Sequence, residues 1–136
     1  MDLTQEQREF FEKHSMKMLE LAYNYNRHEK VFKPDGYGKY TADCGDTVAI
    51  SLTTMKKVIQ HVSLEIEGCV YTNACANSVA ELVEGKTVDD AWEVSAEQVS
   101  EMLETLPAES FHCAELAVNA LFLALTDFKK RPVTNH

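Results

Sequence analysis

The sequence predicts an α+β domain, a small antiparallel sheet of about three strands with helices packed on it. Two changes of period carry that prediction. Between Thr47 and Glu67 the apolar residues alternate: Val48, Ile50 and Leu52, then Val58, Val62, Leu64 and Ile66. This is the period of strands with one buried face. From Gly68 onward, and again before Lys30, apolar residues recur at helical spacing instead. A chain of 136 residues is one domain's worth and can bury a core without disulfides. The expectation is therefore a single domain over residues 1–136.

Taken in order, Thr4-Gln5-Glu6-Gln7 reads as a capping box that opens a helix. Phe11, Met18, Leu21, Ala22 and Tyr25 continue it to about Arg27, so one helix is expected over residues 4–27. His14 and His28 read as surface or packing residues of that helix. Residues 29–43 read as loop, with dense turn chemistry at Lys33-Pro34-Asp35-Gly36-Tyr37-Gly38 and a short edge strand over Lys39 to Ala42. Thr47 to Leu52 forms a strand, and Thr53-Thr54-Met55-Lys56 a hairpin connection. The next strand buries Val58, Val62, Leu64 and Ile66 and wets His61, Ser63, Glu65 and Glu67.

A helix capped by Thr72 or Asn73 then carries Ala76, Val79, Ala80, Leu82 and Val83 and stops at Gly85. Thr87-Val88-Asp89-Asp90 opens a short helix with Ala91 and Trp92. Ser95-Ala96-Glu97-Gln98 is a second capping box. Ser110 caps the last helix, whose inner face is Ala114, Ala117, Leu121, Ala124, Leu125 and Phe128. Lys129, Lys130 and Arg131 suit its negative end. Pro132 to His136 reads as a disordered tail. The acidic run Glu97, Glu101, Glu104 and Glu109 reads as a solvated face.

The formal charge of −9 argues against nucleic acid or anionic membranes as partners. No window supplies the ~20 apolar residues of a membrane span, and the N-terminus lacks a signal-peptide pattern. A cytoplasmic location follows, where four cysteines point to metal or sulfur chemistry more than to disulfides.

Three of those cysteines lie at joints between elements. Cys44, in Asp43-Cys44-Gly45-Asp46, opens a strand. Cys69 lies between a strand and a helix. Cys113, preceded by His112, starts the last helix, where free N–H groups and the macrodipole should favour a thiolate. Thiolate, imidazole and carboxylate together suit zinc, iron or an iron–sulfur unit. The spacings form no metal signature alone, since the cysteines are 25 and 44 positions apart. Three unrelated small buried residues is the competing reading. Cys75, beside Ala74 and Ala76, reads as core filler, with an additional metal ligand as the alternative.

Four segments resemble the IscU/NifU N-terminal type of iron–sulfur cluster assembly scaffold. They are Asp43-Cys44-Gly45-Asp46-Thr47-Val48, Glu67-Gly68-Cys69, Val83-Glu84-Gly85-Lys86-Thr87 and Phe111-His112-Cys113-Ala114-Glu115-Leu116-Ala117. The resemblance implies a scaffold or carrier, not a turnover enzyme. Such a protein takes sulfur from a cysteine desulfurase, adds iron, builds a labile cluster and passes it to apo iron–sulfur proteins. It implies Cys44, Cys69 and Cys113 as the sulfur-accepting or cluster-binding thiols. Asp46 would be the carboxylate that keeps the cluster exchangeable, and His112 the histidine beside the third cysteine. The implied cargo is a 2Fe–2S unit, with 4Fe–4S as the alternative, and zinc is expected in isolated protein.

Two rival readings are a zinc-dependent persulfide acceptor and a structural zinc-binding module. The chain departs from the family after Cys69, where Tyr71 and Cys75 replace small residues. The family's chaperone-binding segment appears here as Leu106-Pro107-Ala108-Glu109-Ser110. Its lysine is missing, which argues against an Hsp70-type chaperone as partner.

Overall fold

A computed structural model describes residues 4–131. Two short helices come first, α1 (Gln5–Lys13) and α2 (Met16–Ala22), followed by strands β1 (Gly36–Thr41), β2 (Thr47–Met55) and β3 (Val58–Glu67). Then come α3 (Val70–Val83), a 3₁₀ turn (Asp90–Glu93), α4 (Ala96–Leu103), a second 3₁₀ turn (Ala108–Ser110) and α5 (Phe111–Lys130). The three strands form one antiparallel sheet in the order β1-β2-β3. The α+β architecture expected from the two periods is the one observed.

The inner face of the sheet presents Val48, Ile50, Leu52, Val62 and Leu64, all fully buried. Against it lie α3 and α5, through Val79, Ala80, Val83, Ala117, Leu121, Ala124 and Leu125. α5 with its preceding turn is long and apolar enough to cross a membrane. In this fold its apolar side is the core, covering β1 and β2.

β1 approaches α5 backbone to backbone. A Cβ on Gly38 would stand 2.3 Å from Ala124 N and 2.4 Å from Ala120 O. A Cβ on Gly36 would stand 2.6 Å from Ala124 O. The two glycines that read as loop therefore belong to a strand, which begins at Gly36 and not at Lys39. Glycine is there to remove side-chain volume, and no turn is involved.

Three further boundaries differ from the sequence reading, and a bulge shifts one alternation. The N-terminal helix breaks at His14-Ser15, because Ser15 Oγ accepts from Met18 N and caps a new helix. That break is pinned to the end of α4, with Ser15 Oγ donating to Leu103 O at 2.7 Å and Ser15 N donating to Thr105 Oγ1. The expected hairpin connection is strand up to Met55, and the turn falls on Lys56 and Lys57, both at positive φ. A bulge opposite Thr53 and Thr54 then shifts the alternation, so that Ile59 is buried as well as Val62. α3 starts at Val70 with Cys69 as its N-cap, which puts Thr72 and Asn73 inside the helix.

The outer face of the sheet is not uniformly wet. Ala49 and Ser51 are small and buried beside the longer Lys39 and Tyr37 of β1, and Ser63 is buried with its Oγ donating to Glu29 Oε1 at 2.6 Å. Both expected capping boxes, at Thr4 and at Ser95, are formed. Gly85 takes φ +87 just past α3. Asn73 and Asn77, buried on α3, donate from Nδ2 to carbonyls of Leu21 and Asn24 and so finish the end of α2. The expected tail, Pro132 to His136, lies outside the described residues.

Candidate cysteine–aspartate site

The site is assembled where three joints meet at one end of the sheet. Ala42 to Asp46 turn the chain from β1 into β2. Ala42 N donates to Asp46 O at 2.8 Å and Gly45 N donates to Ala42 O at 2.9 Å. The turn needs φ +95 at Gly45, which glycine adopts without steric cost. It leaves Cys44 exposed at the tip and sets Asp46 half-buried at its base.

Cys69 is the exposed N-cap of α3, and its side chain makes no cap hydrogen bond. Cys113 is the third residue of α5 and is buried, 1% exposed. An Asp46 carboxylate oxygen, Cys69 Sγ and Cys113 Sγ all lie within 4.8 Å of one another. A tetrahedral ion with Zn–S bonds of ~2.3 Å would hold its sulfurs ~3.8 Å apart. The three donors therefore need to close by only about an ångström to share an ion. Soft sulfur with one hard oxygen suits zinc or iron. Two helix starts also converge here, and the positive ends of their macrodipoles favour negative charge at this point.

Thr72 lies at the centre of the group and is fully buried. Its Oγ1 donates to Asp46 Oδ2 at 2.9 Å. The same oxygen is 3.6 Å from Cys69 Sγ and 3.7 Å from Cys113 Sγ. The side chain fits because residue 68 is glycine, where a Cβ would come within 2.7 Å of that oxygen.

Cys44 and His112 stand beside this group, not within it. They line an open groove of ≈ 480 Å³, with Tyr40, Glu115 and Asn119, between the hairpin tip and the first turns of α5. His112 Nδ1 is 3.1 Å from Glu109 O, an atom that can only accept. Nδ1 is therefore the nitrogen placed to donate there, and Nε2 lies 3.7 Å from Cys113 Sγ. Cys75 lies in the core with no exposure, and burial pushes its thiol well up.

Burial also decides the state of Cys113. The helix start was expected to favour a thiolate, but removal from water pushes this thiol up to about 11, helped by the nearby Cys69 and Asp46. An incoming ion has to displace a proton here.

Two of the residues read as packing histidines have specific partners. His14 bridges Thr105 Oγ1 and the Tyr71 hydroxyl, each at 3.0 Å, which fixes Tyr71 two residues past Cys69. Its pKa is lowered by burial. His28 Nε2 meets Asn73 Oδ1 at 2.7 Å. His61, on the sheet surface, meets Glu29 at 3.1 Å. Sequence reasoning missed Thr72, which it took for a helix cap. The signal was its position three residues after Cys69 on a helix, which puts both on one face.

The family model described as the NifU-like N terminal domain matches residues 14–135. The chain belongs to that family. Among curated relatives, this NifU-like domain is 29% identical over 103 residues to Iron-sulfur cluster assembly scaffold protein IscU 1 of Archaeoglobus fulgidus. That match covers 75% of this chain and 67% of the relative. It is 28% identical over 111 residues to Iron-sulfur cluster assembly protein IscU of Plasmodium falciparum, covering 82% and 67%. The fold is that of a putative iron-sulfur cluster assembly scaffold protein for the SUF system from Fervidobacterium islandicum. There the TM-score is 0.68 at 19% identity, over 84% of this chain and 97% of that one.

Proposed function

We propose that this domain is a scaffold that builds an iron–sulfur cluster and gives it away. Its sulfur would come from a cysteine desulfurase, its other substrate is ferrous iron, and its acceptors are apo iron–sulfur proteins. The observation that carries this reading is the gathering of Asp46, Cys69 and Cys113 donor atoms within 4.8 Å at an accessible joint. The relatives' names point the same way.

In this reading Cys69 and Cys113 form the fixed floor of the site. Cys44, exposed on its hairpin tip, is the thiol that reaches the incoming sulfur and closes over the cargo as the third sulfur ligand. His112 Nε2 stands ready to take the Cys113 proton or to serve as a ligand. A carboxylate among thiolates holds iron less firmly than a fourth thiolate would, which suits a protein that must release its cargo. The cargo is a 2Fe–2S unit, and zinc fits the same donors in isolated protein. Residues 1–136 act as one scaffold domain, in the cytoplasm.

Anaerobic incubation with ferrous iron, cysteine and a desulfurase tests this. A scaffold develops sulfur-to-iron charge-transfer absorption that is lost in Cys69→Ala and Cys113→Ala. A folded wild type that stays colourless overturns the proposal. If it instead keeps zinc and gains the mass of one sulfur, the role is that of a zinc-dependent persulfide acceptor.

A further inference from the structure

The donors of the site come from three separate elements. Cys69 and Cys113 stand at the starts of two core helices, whereas Asp46 belongs to a hairpin whose tip is in solvent. The Thr72 Oγ1 to Asp46 Oδ2 hydrogen bond ties that hairpin to α3 at the level of the sulfurs.

A hydroxyl carries one proton, so Oγ1 donates to one acceptor at a time. Asp46 Oδ2 at 2.9 Å is nearer than either sulfur, and sulfur is the weaker acceptor, so Oδ2 takes the proton. Oγ1 is itself held in place. Thr72 has no exposure, threonine has few χ1 options, and its side chain is packed on Gly68.

We propose that Thr72 is the positioning residue of this site: its hydroxyl holds the Asp46 carboxylate against Cys69 and Cys113 so that a thiophilic divalent cation meets a preformed donor set. This rests on the cysteine–aspartate reading above and adds a residue to it that is no ligand. Hydrogen bonds that orient ligands are typically worth ten- to hundredfold in metal affinity, and that is roughly the effect expected here.

The test is anaerobic titration with Co²⁺, whose sulfur-to-cobalt absorption counts thiolates and whose d–d bands respond to the oxygen ligand. Thr72→Val keeps the volume and loses the donor, and it should weaken Co²⁺ binding by roughly ten- to hundredfold and shift the d–d bands. Thr72→Ser, which keeps the hydroxyl, should bind within about threefold of wild type. Thr72→Ala should behave like the valine variant. The serine–alanine difference reports the hydroxyl even if valine at this position impairs folding.

In an Asp46→Ala background, Thr72→Val should add almost nothing, because the group it positions is gone. Equal affinities for wild type, Thr72→Val and Thr72→Ala overturn the proposal. So does a Thr72→Val loss that persists in full without Asp46. A wild type that binds no Co²⁺ fails at an earlier point, because it removes the cysteine–aspartate site itself.

Discussion

The β1–β2 hairpin is built in two opposite ways along its length. At its base, Gly38 is clamped against the backbone of α5, with less than 2.5 Å available to a Cβ. At its tip, Gly45 has nothing within 4 Å of where a Cβ would be, and only its positive φ asks for glycine. The same ribbon is thus fixed to the core at one end and free in solvent at the other. Asp46 sits at the transition and Cys44 beyond it. A scaffold benefits from both properties. In the reading proposed above, the fixed end would keep Asp46 near the cysteines, and the free end would let Cys44 reach toward a sulfur donor.

The largest expected effect comes from attacking the clamped end. Gly38→Ala forces a methyl group into backbone that cannot move aside, and should cost about 3 kcal/mol or more, lowering Tm by about 10 °C or more in a thermal melt. Loss of less than about 1 °C would show that β1 does not pack on α5 this closely.

Next come the thiols, which the same contrast divides. Iodoacetamide at pH 8 should modify Cys44 and Cys69 first, because both are exposed. Cys113, with its thiol near 11, should react roughly a hundredfold more slowly, and Cys75 more slowly still, as peptide mass mapping would show. Equal labelling of Cys44 and Cys113 would mean that the two ends of the site are equally open.

The raised Cys113 thiol also gives a pH dependence. Between about pH 9 and pH 11 the unfolded chain has lost this proton while the folded one keeps it. Folding stability from this group is therefore complete below pH 9 and falls as pH rises toward 11. Urea midpoints measured across that range should decline in the wild type and decline less in Cys113→Ala.

The smallest effect belongs to the tip. Gly45→Ala meets no atom and should cost only about 1 kcal/mol for its left-handed backbone, visible as a fall of a few degrees in Tm. A loss as large as that of Gly38→Ala would remove the distinction between the two ends.

What the sequence made legible was what depends on near neighbours. The capping boxes at Thr4 and Ser95, the stop at Gly85 and the alternation through Val48, Ile50 and Leu52 are all local patterns, and all are present. Gly36 and Gly38 misled because their reason lies in α5, more than 80 residues away. Ser15 misled because apolar spacing runs across the break that its side chain caps.

At the site, the cysteine-bearing joints could be picked out by residue type and position. Their relative placement could not, since Cys44 stands aside while Asp46, Cys69 and Cys113 gather. The charge state expected for Cys113 came from its helix start alone, and burial outweighs that influence. For Thr72 the sequence held only its spacing from Cys69, because its partners Asp46 and Cys113 are brought to it by the tertiary fold.

The central claim is that sulfurs from separate joints and the Asp46 carboxylate can enclose one ion. X-ray absorption at the zinc edge of the zinc-loaded protein tests it most directly. The expected shell is three sulfurs at ~2.3 Å with one oxygen or nitrogen at ~2.0–2.2 Å, one sulfur fewer in Cys44→Ala, and the light ligand altered in Asp46→Ala. A shell made of oxygen and nitrogen alone would contradict it.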